Sequence, residues 1–316
     1  MIKMIFRRVF LGVITLILVS IIVFGAIEAL PGDSCTAYLG RMAQGVRLEN
    51  CRQDLRLERS AVTRYVDWAG DILQGDLGTS FKRKKPISNI VLPRLRNTFL
   101  LGMTAAVFGV PIAIFLGVIT GLWRDQKLDV GISTVAIFAM TVPEFVTATI
   151  MILGFSVWLD WFPGIVTTRP NAPISEFLGG IILPVISLSF VMIAHILRMV
   201  RTTVIDVMSS DYIQMARLKG VPYKQMVFYH VLPNALLPTI NLVAMTIGWL
   251  LGGVVVIEVV FNYPGLGRLM VNAVSDRDLA MVQAIALILA GMYVALNLFA
   301  DILVLIANPQ LRTMRT

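Results

Sequence analysis

The sequence predicts an all-α integral membrane protein with six transmembrane helices, and three observations support that fold class. Hydrophobic residues make up 57% of the 316-residue chain and charged residues only 15%, whereas soluble domains contain about 25% charged residues. The apolar residues form six runs, and a helix needs about 20 of them to cross a hydrocarbon layer about 30 Å thick. Lipid offers the backbone no hydrogen bonds, so helices are expected and an open sheet is excluded.

The six runs define the predicted spans in chain order. They are Val9–Ile27, Thr98–Trp123, Val130–Leu159, Phe177–Leu197, Leu232–Ile257 and Leu279–Ala300. The first run follows Lys3, Arg7 and Arg8, and its uncharged core is longer than the ~7–15 apolar residues of a signal peptide. We therefore expect an uncleaved helix that anchors the N-terminal end.

The distribution of basic residues predicts that both termini lie in the cytoplasm. With the N-terminus inside, twelve Lys and Arg residues fall in cytoplasmic segments, and three (Arg169, Arg268 and Arg277) fall in the two short outer loops. The remaining twelve occupy a long outer loop, which is expected to translocate regardless of its charge. The net charge of +8 is then explained by orientation signals and headgroup contacts, and nucleic-acid binding is not expected.

An extracytoplasmic insert is predicted between the first and second spans. It contains both cysteines, Cys35 and Cys51. Two thiols in one outer loop favour a disulfide, with two unpaired small residues as the alternative. Within the insert, Arg59–Leu73 has helical apolar spacing, and Pro86–Arg96 is expected to form an amphipathic interfacial helix. The predicted organisation is 1–30 with the first span, 31–97 as the insert, and 98–316 as a five-helix core.

The most informative segment is polar and lies between the fourth and fifth spans, at about residues 205–233. Asp211 suits a helix N-cap, and Gln214 follows three residues later, as in a capping box. Gly220 suits the left-handed position that closes a helix, and Pro222 suits the first turn of the next one. A capped helix–turn–helix indicates a surface for a soluble partner, because a simple tether between two spans needs no such structure.

The first helix of this segment has one face suited to a partner. Tyr212, Met215, Ala216 and Lys219 lie at positions i, i+3, i+4 and i+7 and therefore share a side of the helix. The face is apolar at its centre and basic at its rim, and the small Ala216 allows close approach. Pro233 is expected to close the second short helix.

This segment resembles the EAA loop of bacterial binding-protein-dependent ABC importer permeases, in which an Ala and a Gly four residues later form the core signature. Ala216 and Gly220 occupy those positions, while Gln214 and Met215 replace the usual acidic and small residues. Other segments are similar to the dipeptide/oligopeptide permease family, in the same order along the chain. They are Ala29–Asp33, Gly75–Phe81, Arg94–Thr98, Phe261–Gly267, and Asp301 with Asn308–Arg312.

The resemblance implies the type I ABC importer permease fold in the bacterial inner membrane. The chain would form half of a pore with a second homologous permease, as a heterodimer, and a periplasmic or lipid-anchored solute-binding protein would deliver cargo. Two cytoplasmic ATP-binding subunits would bind ATP and Mg, because this chain has no Gly-x-x-x-x-Gly-Lys-Ser/Thr phosphate loop. No catalytic, cofactor or metal site is expected here. The implied ATPase-docking residues are Tyr212, Met215, Ala216, Arg217, Lys219 and Gly220.

Two acidic residues in the apolar runs are candidates for the translocation path. Glu144 follows Pro143 midway along the third run, where an acid costs about 2.5–3.5 kcal/mol, so it should face the bundle interior or a wet cavity. We hypothesise contact with a positive group of the cargo, such as a peptide amine, with a buried structural acid as the alternative. Glu258, at the outer end of the fifth run, is a candidate for an outer gate or a plain interfacial charge. His195 is expected to be a packed helix residue.

The class of cargo stays open in the sequence. Peptides are expected because they are the commonest cargo of the family that the chain resembles, and opines, glutathione, nickel chelates and oligosaccharides are the alternatives. A secondary transporter subunit is the competing class, which would show repeat symmetry and helices broken at the midplane. An ion channel would show a re-entrant filter or a charged pore ring. Neither the filter nor the ring is visible in the sequence, and six spans with one dominant cytoplasmic motif fit a secondary transporter poorly.

Overall fold

The computed structural model describes residues 2–29, 34–54 and 57–307, and these form helices and no β-strand apart from one bridge between Thr79 and Pro86. The helices are α1 (Ile2–Glu28), α2 (Ser34–Leu39), α3 (Gly45–Asp54), α4 (Ala61–Leu73), α5 (Ile87–Leu122), α6 (Lys127–Thr141), α7 (Glu144–Met151), α8 (Ile182–Met208), α9 (Asp211–Leu218), α10 (Tyr223–Met226), α11 (Leu232–Val260), α12 (Leu266–Ser275) and α13 (Leu279–Ala307). Short 3₁₀ turns occupy Gly40–Met42 and Ile174–Phe177, and wide π-helical turns occupy Ile152–Trp158 and Val227–Val231.

Four helices in the described part of the chain are long and apolar enough to cross a membrane, and a bent pair adds a fifth candidate span. The four lie in α1, α5, α8 and α13, and the pair is α6 with Glu144–Trp158. The fifth predicted run corresponds to α11, which has 29 residues and is therefore about 44 Å long at ~1.5 Å per residue. The multi-span helical architecture is confirmed, while the count of six spans remains a prediction.

The third predicted run is broken rather than continuous. Its two halves, Lys127–Thr141 and Glu144–Trp158, are bent by 112°. Pro143 has no backbone N–H to continue the helix, and it forces the preceding residue out of helical conformation. Val142 accordingly has ψ 129°, and Pro143 has ψ 142° at the N-cap of α7. Glu144 thereby becomes the first residue of a new helix.

The helix that contains the second predicted span begins before that span. The expected interfacial helix Pro86–Arg96 and the second run form one 36-residue helix, α5, with Pro86 at its N-cap. Ile87, Ile90 and Val91 on its first turns are buried in a cluster with residues of α12 and α13. This packing supplies the stabilisation that allows Pro93 inside the helix, since tertiary burial commonly overrides local propensity.

The centre of the bundle is the close packing of α5 against α8. Gly109, Gly117 and Gly121 on α5 face side chains of α8. A Cβ at Gly117 would lie 2.6 Å from the Cβ of Val200 and 2.8 Å from a backbone carbonyl oxygen of α8. Small residues allow membrane helices to approach closely, and this contact replaces the hydrophobic drive that lipid does not provide. The α5–α8 pair is therefore the rigid frame of the core.

The first turns of α1 and the last turns of α13 lie close together. Arg8 near the start of α1 forms an ion pair of 2.6 Å with Asp301 near the end of α13. At the opposite ends of these helices, Glu28 pairs with Arg64 of the insert, and Ser80 of the insert bonds Asp278 just before α13. These contacts show that α1 and α13 run antiparallel, while the placement of both termini in the cytoplasm stays a prediction.

The insert packs on the end of α1 through aromatic side chains. Tyr65 and Trp68 of α4 contact Phe24 of α1, and the hydroxyls of Tyr65 and Ser20 are hydrogen-bonded at 2.8 Å. The helix predicted at Arg59–Leu73 is thus present as α4. Cys35 is disulfide-bonded. The side chain of its predicted partner lies outside the described residues, so the pairing Cys35–Cys51 stays a prediction.

Candidate functional site

The polar segment between α8 and α11 is a compact helix–turn–helix with well-defined ends. Its first helix, α9, begins at Asp211, and the N-cap is Ser210, one residue earlier than predicted. The Ser210 backbone carbonyl accepts the N–H of Gln214 at 3.2 Å, whereas the Gln214 side chain donates to the carbonyl of Ser209 at 3.4 Å. Asp211 in the first turn still stabilises the positive end of the helix.

Gly220 closes α9 in a Schellman motif, as the sequence predicted. Its φ is +75°, a left-handed conformation that costs other residues free energy. The N–H of Val221 donates to the carbonyl of Ala216 at 3.1 Å, and the N–H of Gly220 donates to that of Arg217 at 2.9 Å. A Cβ at Gly220 would meet no atom within 4 Å. Glycine is therefore required by the backbone conformation and not by lack of space.

The segment is anchored to the bundle by buried apolar side chains. Ile213 of α9 and Met226 of α10 are fully buried, and both belong to the central core cluster together with Val204 of α8 and Val231. The Tyr212 hydroxyl also donates to the carbonyl of His230 at 3.3 Å. Because both short helices are packed against the ends of α8 and α11, a force on the segment is transmitted to those two helices.

The opposite face of the segment is exposed and apolar at its centre. Tyr212 is 44% exposed, Met215 is 53% exposed, and Leu218 is 83% exposed. Arg217, Lys219 and Gly220 are exposed as well, and Ala216 is half-buried. Leu218 is absent from the predicted docking residues because it lies outside the i, i+3, i+4, i+7 series that defines the predicted face of α9. Its signal was present, since Leu218 lies three residues after Met215 and is therefore its neighbour on the helix surface.

One expected boundary is wrong. Pro233 was expected to close the second short helix, but α10 continues through the π-helical turn Val227–Val231 directly into α11, where Pro233 lies in the first turn. Pro233 cannot donate a backbone hydrogen bond, and the wide π-helical turn lies immediately before it. Pro222 is the N-cap of α10. The segment therefore joins α11 without a flexible linker.

Glu144 lies on the wall of a cavity of about 430 Å³ at the break between α6 and α7. Thr141, His195, Gly252 and Gly253 also line this cavity. A Cβ at Gly253 would lie 2.6 Å from the Oε2 atom of Glu144, so glycine provides the space for the carboxylate. The positive end of α7 stabilises a negative charge at this position. The sequence placed Glu144 correctly in a cavity, and direct contact with cargo stays a prediction.

Glu258 holds together the loop that follows α11. It is 0% exposed, and its carboxylate accepts hydrogen bonds from the Thr98 hydroxyl at 2.5 Å and from the Arg268 backbone at 3.1 Å. Thr98 in turn accepts the N–H of Leu266 at 2.8 Å. A Cβ at Gly265 would lie 2.0 Å from the Glu258 Oε1 atom. In this conformation Glu258 is a structural carboxylate beside the outer loop, and its assignment to the translocation path remains a prediction.

Asn97 joins the same loop to a second one. Its side-chain amide donates to the carbonyls of Pro170 and Pro264, each at 3.0 Å. The Tyr263 hydroxyl donates to the Asn97 carbonyl at 2.9 Å, and burial together with the nearby Glu258 charge raises the pKa of that phenol above its usual value. The segments Arg94–Thr98 and Phe261–Gly267 therefore form one unit, although they lie far apart in the sequence. The neighbouring Thr98–Glu258 bond, for example, joins residues 160 positions apart.

A buried ion pair fixes α6 to α8 on the side of α9. Arg201 donates to both carboxylate oxygens of Asp129, at 2.6 and 2.7 Å, and Asp129 also accepts from the Asp125 backbone and the Ser133 hydroxyl. Asp129 is 1% exposed. The sequence did not predict this pair, because nothing in the spacing of residues 72 positions apart indicates that they meet.

Comparison with protein families supports the resemblance noted in the sequence. Residues 109–313 match the family described as binding-protein-dependent transport system inner membrane component, and residues 1–102 match the N-terminal region of such membrane components. A relative in Brucella abortus (strain 2308) is 35% identical over 314 residues and aligns with 99% of each chain.

Two named relatives are similarly close. The oligopeptide transport system permease protein AppB of Bacillus subtilis (strain 168) is 34% identical over 97% of this chain and 98% of its own length. The glutathione transport system permease protein GsiC of Pectobacterium atrosepticum is also 34% identical, with the same two coverages.

Solved structures show the same fold at lower sequence identity. The methionine ABC transporter MetNI in an inward-facing conformation has a chain that matches with a TM-score of 0.52 and 19% identity, covering 70% of this chain and 96% of that one. A chain of an amino acid ABC transporter matches with a TM-score of 0.51 and 16% identity, covering 69% and 92%. At these identities the comparison concerns the helical arrangement alone.

Proposed function

The chain belongs to the family of inner membrane components of binding-protein-dependent transport systems, and from this premise we propose that it forms half of a two-permease pore for peptides. It is the permease of an ABC importer, a transport protein rather than an enzyme. The proposed parts are the pairing with a second permease, the docking of two ATP-binding subunits on α9, and the peptide cargo.

The coupling segment, residues 209–232, is the observation that carries the proposal. A movement imposed on α9 by an ATPase can reach the pore only if the segment does not bend. The Schellman closure at Gly220 and the buried Ile213 and Met226 provide this rigidity, and packed elements transmit rigid-body shifts. The exposed centre formed by Tyr212, Met215 and Leu218 supplies the apolar contact area that a docking cleft would bury.

The docking proposal is tested by Leu218→Asp, which places a charge at the most exposed apolar position of α9 without touching the core. We expect ATPase binding to weaken about tenfold or more, as for an interface hot spot, and solute-dependent ATP hydrolysis to fall with it. The matched control is Leu73→Asp on α4, an equally exposed leucine on the opposite side. Equal ATPase binding by both variants would contradict docking at α9.

The cavity beside Glu144 supports a peptide as cargo. A peptide carries a positively charged amine, and a carboxylate at the positive end of α7 is a suitable partner for it in a partly enclosed site. Two named relatives are permeases for oligopeptides and for glutathione. The cavity of about 430 Å³ is within the ~300–1,000 Å³ range of small-ligand sites.

Uptake by reconstituted importer tests this assignment. Glu144→Gln should raise the KM for peptides with a free amine while leaving N-acetylated peptides unaffected, because only the former lose a charge partner. Glu144→Asp should retain part of the preference. Glu176→Gln serves as control, since Glu176 is an exposed acid outside the cavity. If Glu144→Gln changed the uptake of free and acetylated peptides equally, the cargo contact would be wrong.

The proposed topology places the coupling segment and both termini in the cytoplasm. The Arg8–Asp301 ion pair supports this arrangement because it brings the first turns of α1 and the last turns of α13 together, and the excess of basic residues in the segments assigned to that side gives the direction. Labelling of single cysteines in intact cells tests it. A cysteine at position 218 should be protected from a membrane-impermeant reagent and one at position 73 should react.

A further inference from the structure

A cavity of about 300 Å³ on the side opposite the coupling segment is lined by three arginines. Arg94 comes from the first turns of α5, Arg169 from the loop before α8, and Arg268 from the start of α12. Thr167, Thr168 and Asn272 add polar groups to the wall, and no acidic side chain is among its lining residues. We refer to this cavity as the arginine recess.

The walls of the arginine recess are held in place before any ligand arrives. The N–H of Val166 donates to the carbonyl of Phe261 at 2.8 Å, and the Asn262 amide donates back to the carbonyl of Val166 at 3.2 Å. Arg268 donates to the carbonyl of Asn262 at 2.7 Å, and Arg94 donates to that of Ile90 at 2.9 Å. A site with fixed walls loses little conformational entropy when it binds a partner.

The charges of the arginine recess are not balanced from within it. Arg83 and Arg268 lie close enough to Arg94 to repel its charge. The Glu258 carboxylate, which lies near Arg268, already accepts bonds from Thr98 and from the Arg268 backbone N–H. Like charges that converge on one cavity raise the free energy of the empty state, and an incoming carboxylate would relieve that repulsion while accepting bidentate hydrogen bonds.

The surroundings indicate a protein partner rather than the cargo itself. Lys82, Arg83, Lys84 and Lys85 form a basic run on the same side of the bundle, where Lys82 lies 3.6 Å from Asp276 just after α12. The proposed cargo carboxylate would need one cationic site, whereas a run of this length together with the recess provides an extended basic surface. Extended charge complementarity is typical of protein docking, where it accelerates and orients the encounter.

We propose that the arginine recess receives an acidic side chain of the solute-binding protein when it docks on the outer face. The proposal rests on the proposed function, in which such a protein delivers the cargo. Docking there would act on the unit formed by Arg94–Thr98 and Phe261–Gly267, because one residue from each segment, Arg94 and Asn262, lines the recess. The outer loops would then be directly sensitive to the presence of the partner.

The test measures the affinity of the peptide-loaded solute-binding protein for the assembled permease–ATPase complex in nanodiscs. Arg169→Gln and Arg94→Gln should each weaken binding about tenfold or more, the effect of removing one partner of a desolvated charge pair. Arg268→Lys, which retains the charge but not the planar donor group, should have an intermediate effect. Arg277→Gln is the matched control, because it removes one exposed positive charge from the same side outside the recess.

Further measurements separate this idea from its alternatives. Affinity of the wild type should fall with added salt, and more steeply than that of Arg169→Gln, since screening acts on the pair that the variant lacks. A charge reversal tests the pair directly. In the solute-binding protein, replacing acidic residues by Lys one at a time should identify one change that restores binding to Arg169→Glu.

If the recess variants bound the partner as tightly as Arg277→Gln, the inference would be overturned. It would also be overturned if only the KM for peptides with a free carboxylate changed, because the recess would then hold cargo. A wild-type complex that no solute-binding protein stimulates would instead refute the proposed function.

Discussion

Thr98→Val provides the sharpest test of the unit formed by Arg94–Thr98 and Phe261–Gly267, because the Thr98 hydroxyl forms two hydrogen bonds at once. It donates to the Glu258 carboxylate at 2.5 Å and accepts the N–H of Leu266 at 2.8 Å. Valine has nearly the same shape, so the change removes these bonds without opening a cavity. Both partners are then left buried with a missing bond, and an unsatisfied buried group costs about 1–3 kcal/mol.

The expected loss for Thr98→Val is therefore about 2–6 kcal/mol in the free energy of unfolding, from two such groups. Denaturant titration of the purified permease in detergent micelles measures it. The control is Thr104→Val in the same helix, whose hydroxyl only donates to the carbonyl of Leu100 one turn earlier. Bonds of this kind contribute little to helix stability, so a change within about 0.5 kcal/mol is expected.

One result would refute this reasoning about Thr98. If Thr98→Val and Thr104→Val lowered the free energy of unfolding by similar amounts, the hydrogen bonds around Glu258 would contribute nothing specific to the fold. Glu258→Gln refines the reading, because the carboxylate accepts from the Thr98 hydroxyl and from backbone N–H groups. An amide NH₂ group placed toward those donors should destabilise the protein further, whereas an intact variant with unchanged stability would show that the network is dispensable.

Three further predictions concern the frame and the coupling segment. Gly220→Ala should cost about 1–2 kcal/mol through its left-handed backbone and reduce solute-dependent ATP hydrolysis in the assembled importer, while Gly220→Asn should lose less because asparagine tolerates that conformation. Asp129→Asn should destabilise the permease by about 1–3 kcal/mol in denaturant titration, because the amide keeps one acceptor for Arg201 but loses the charge and the second bond, and the Arg201 side chain is 26% exposed to solvent. Arg201→Lys should lose less because it keeps the charge but not the bidentate bond. Gly117→Ala should cost about 1–3 kcal/mol by separating α5 from α8, whereas Gly102→Ala, where a Cβ meets no atom within 4 Å, should be neutral in the same titration.

Hydrophobicity predicts the spans well because lipid imposes a minimum length of apolar helix that the sequence displays directly. The same signal cannot reveal the break at Pro143, since the residues on both sides of it are equally apolar. The chemistry of the break was readable from Pro143 itself, which cannot continue the backbone ladder. What the sequence could not give is the angle of 112°, because it depends on how α6 and α7 pack against their neighbours.

The sequence predicts the backbone turn that ends α9, but it does not predict hydrogen bonds between residues that are far apart in the chain. Gly220 was identified correctly because a left-handed turn requires a particular residue at a particular place. Thr98 and Glu258 both lie in or beside segments that stood out in the sequence, but their bond spans 160 positions and only the fold brings them together. The apolar neighbour Leu218 lies outside the predicted face because it belongs to the helical series adjoining that of Tyr212, Met215, Ala216 and Lys219.

The distribution of rigid and breakable contacts indicates where the permease can change shape. The α5–α8 interface cannot compress, because Gly117 already lies against Val200 at the limit of close packing. The coupling segment moves with the end of α8, and the Asp129–Arg201 pair attaches α6 to that same end. In the proposed mechanism, a displacement of α9 acts through α8 and α6 on the break at Pro143, where the helical backbone is interrupted just before Glu144. The coupling segment and the cavity beside Glu144 are thus joined through α8 and α6, and in the proposed mechanism the break at Pro143 is where a stroke of the ATPase would open or close that cavity.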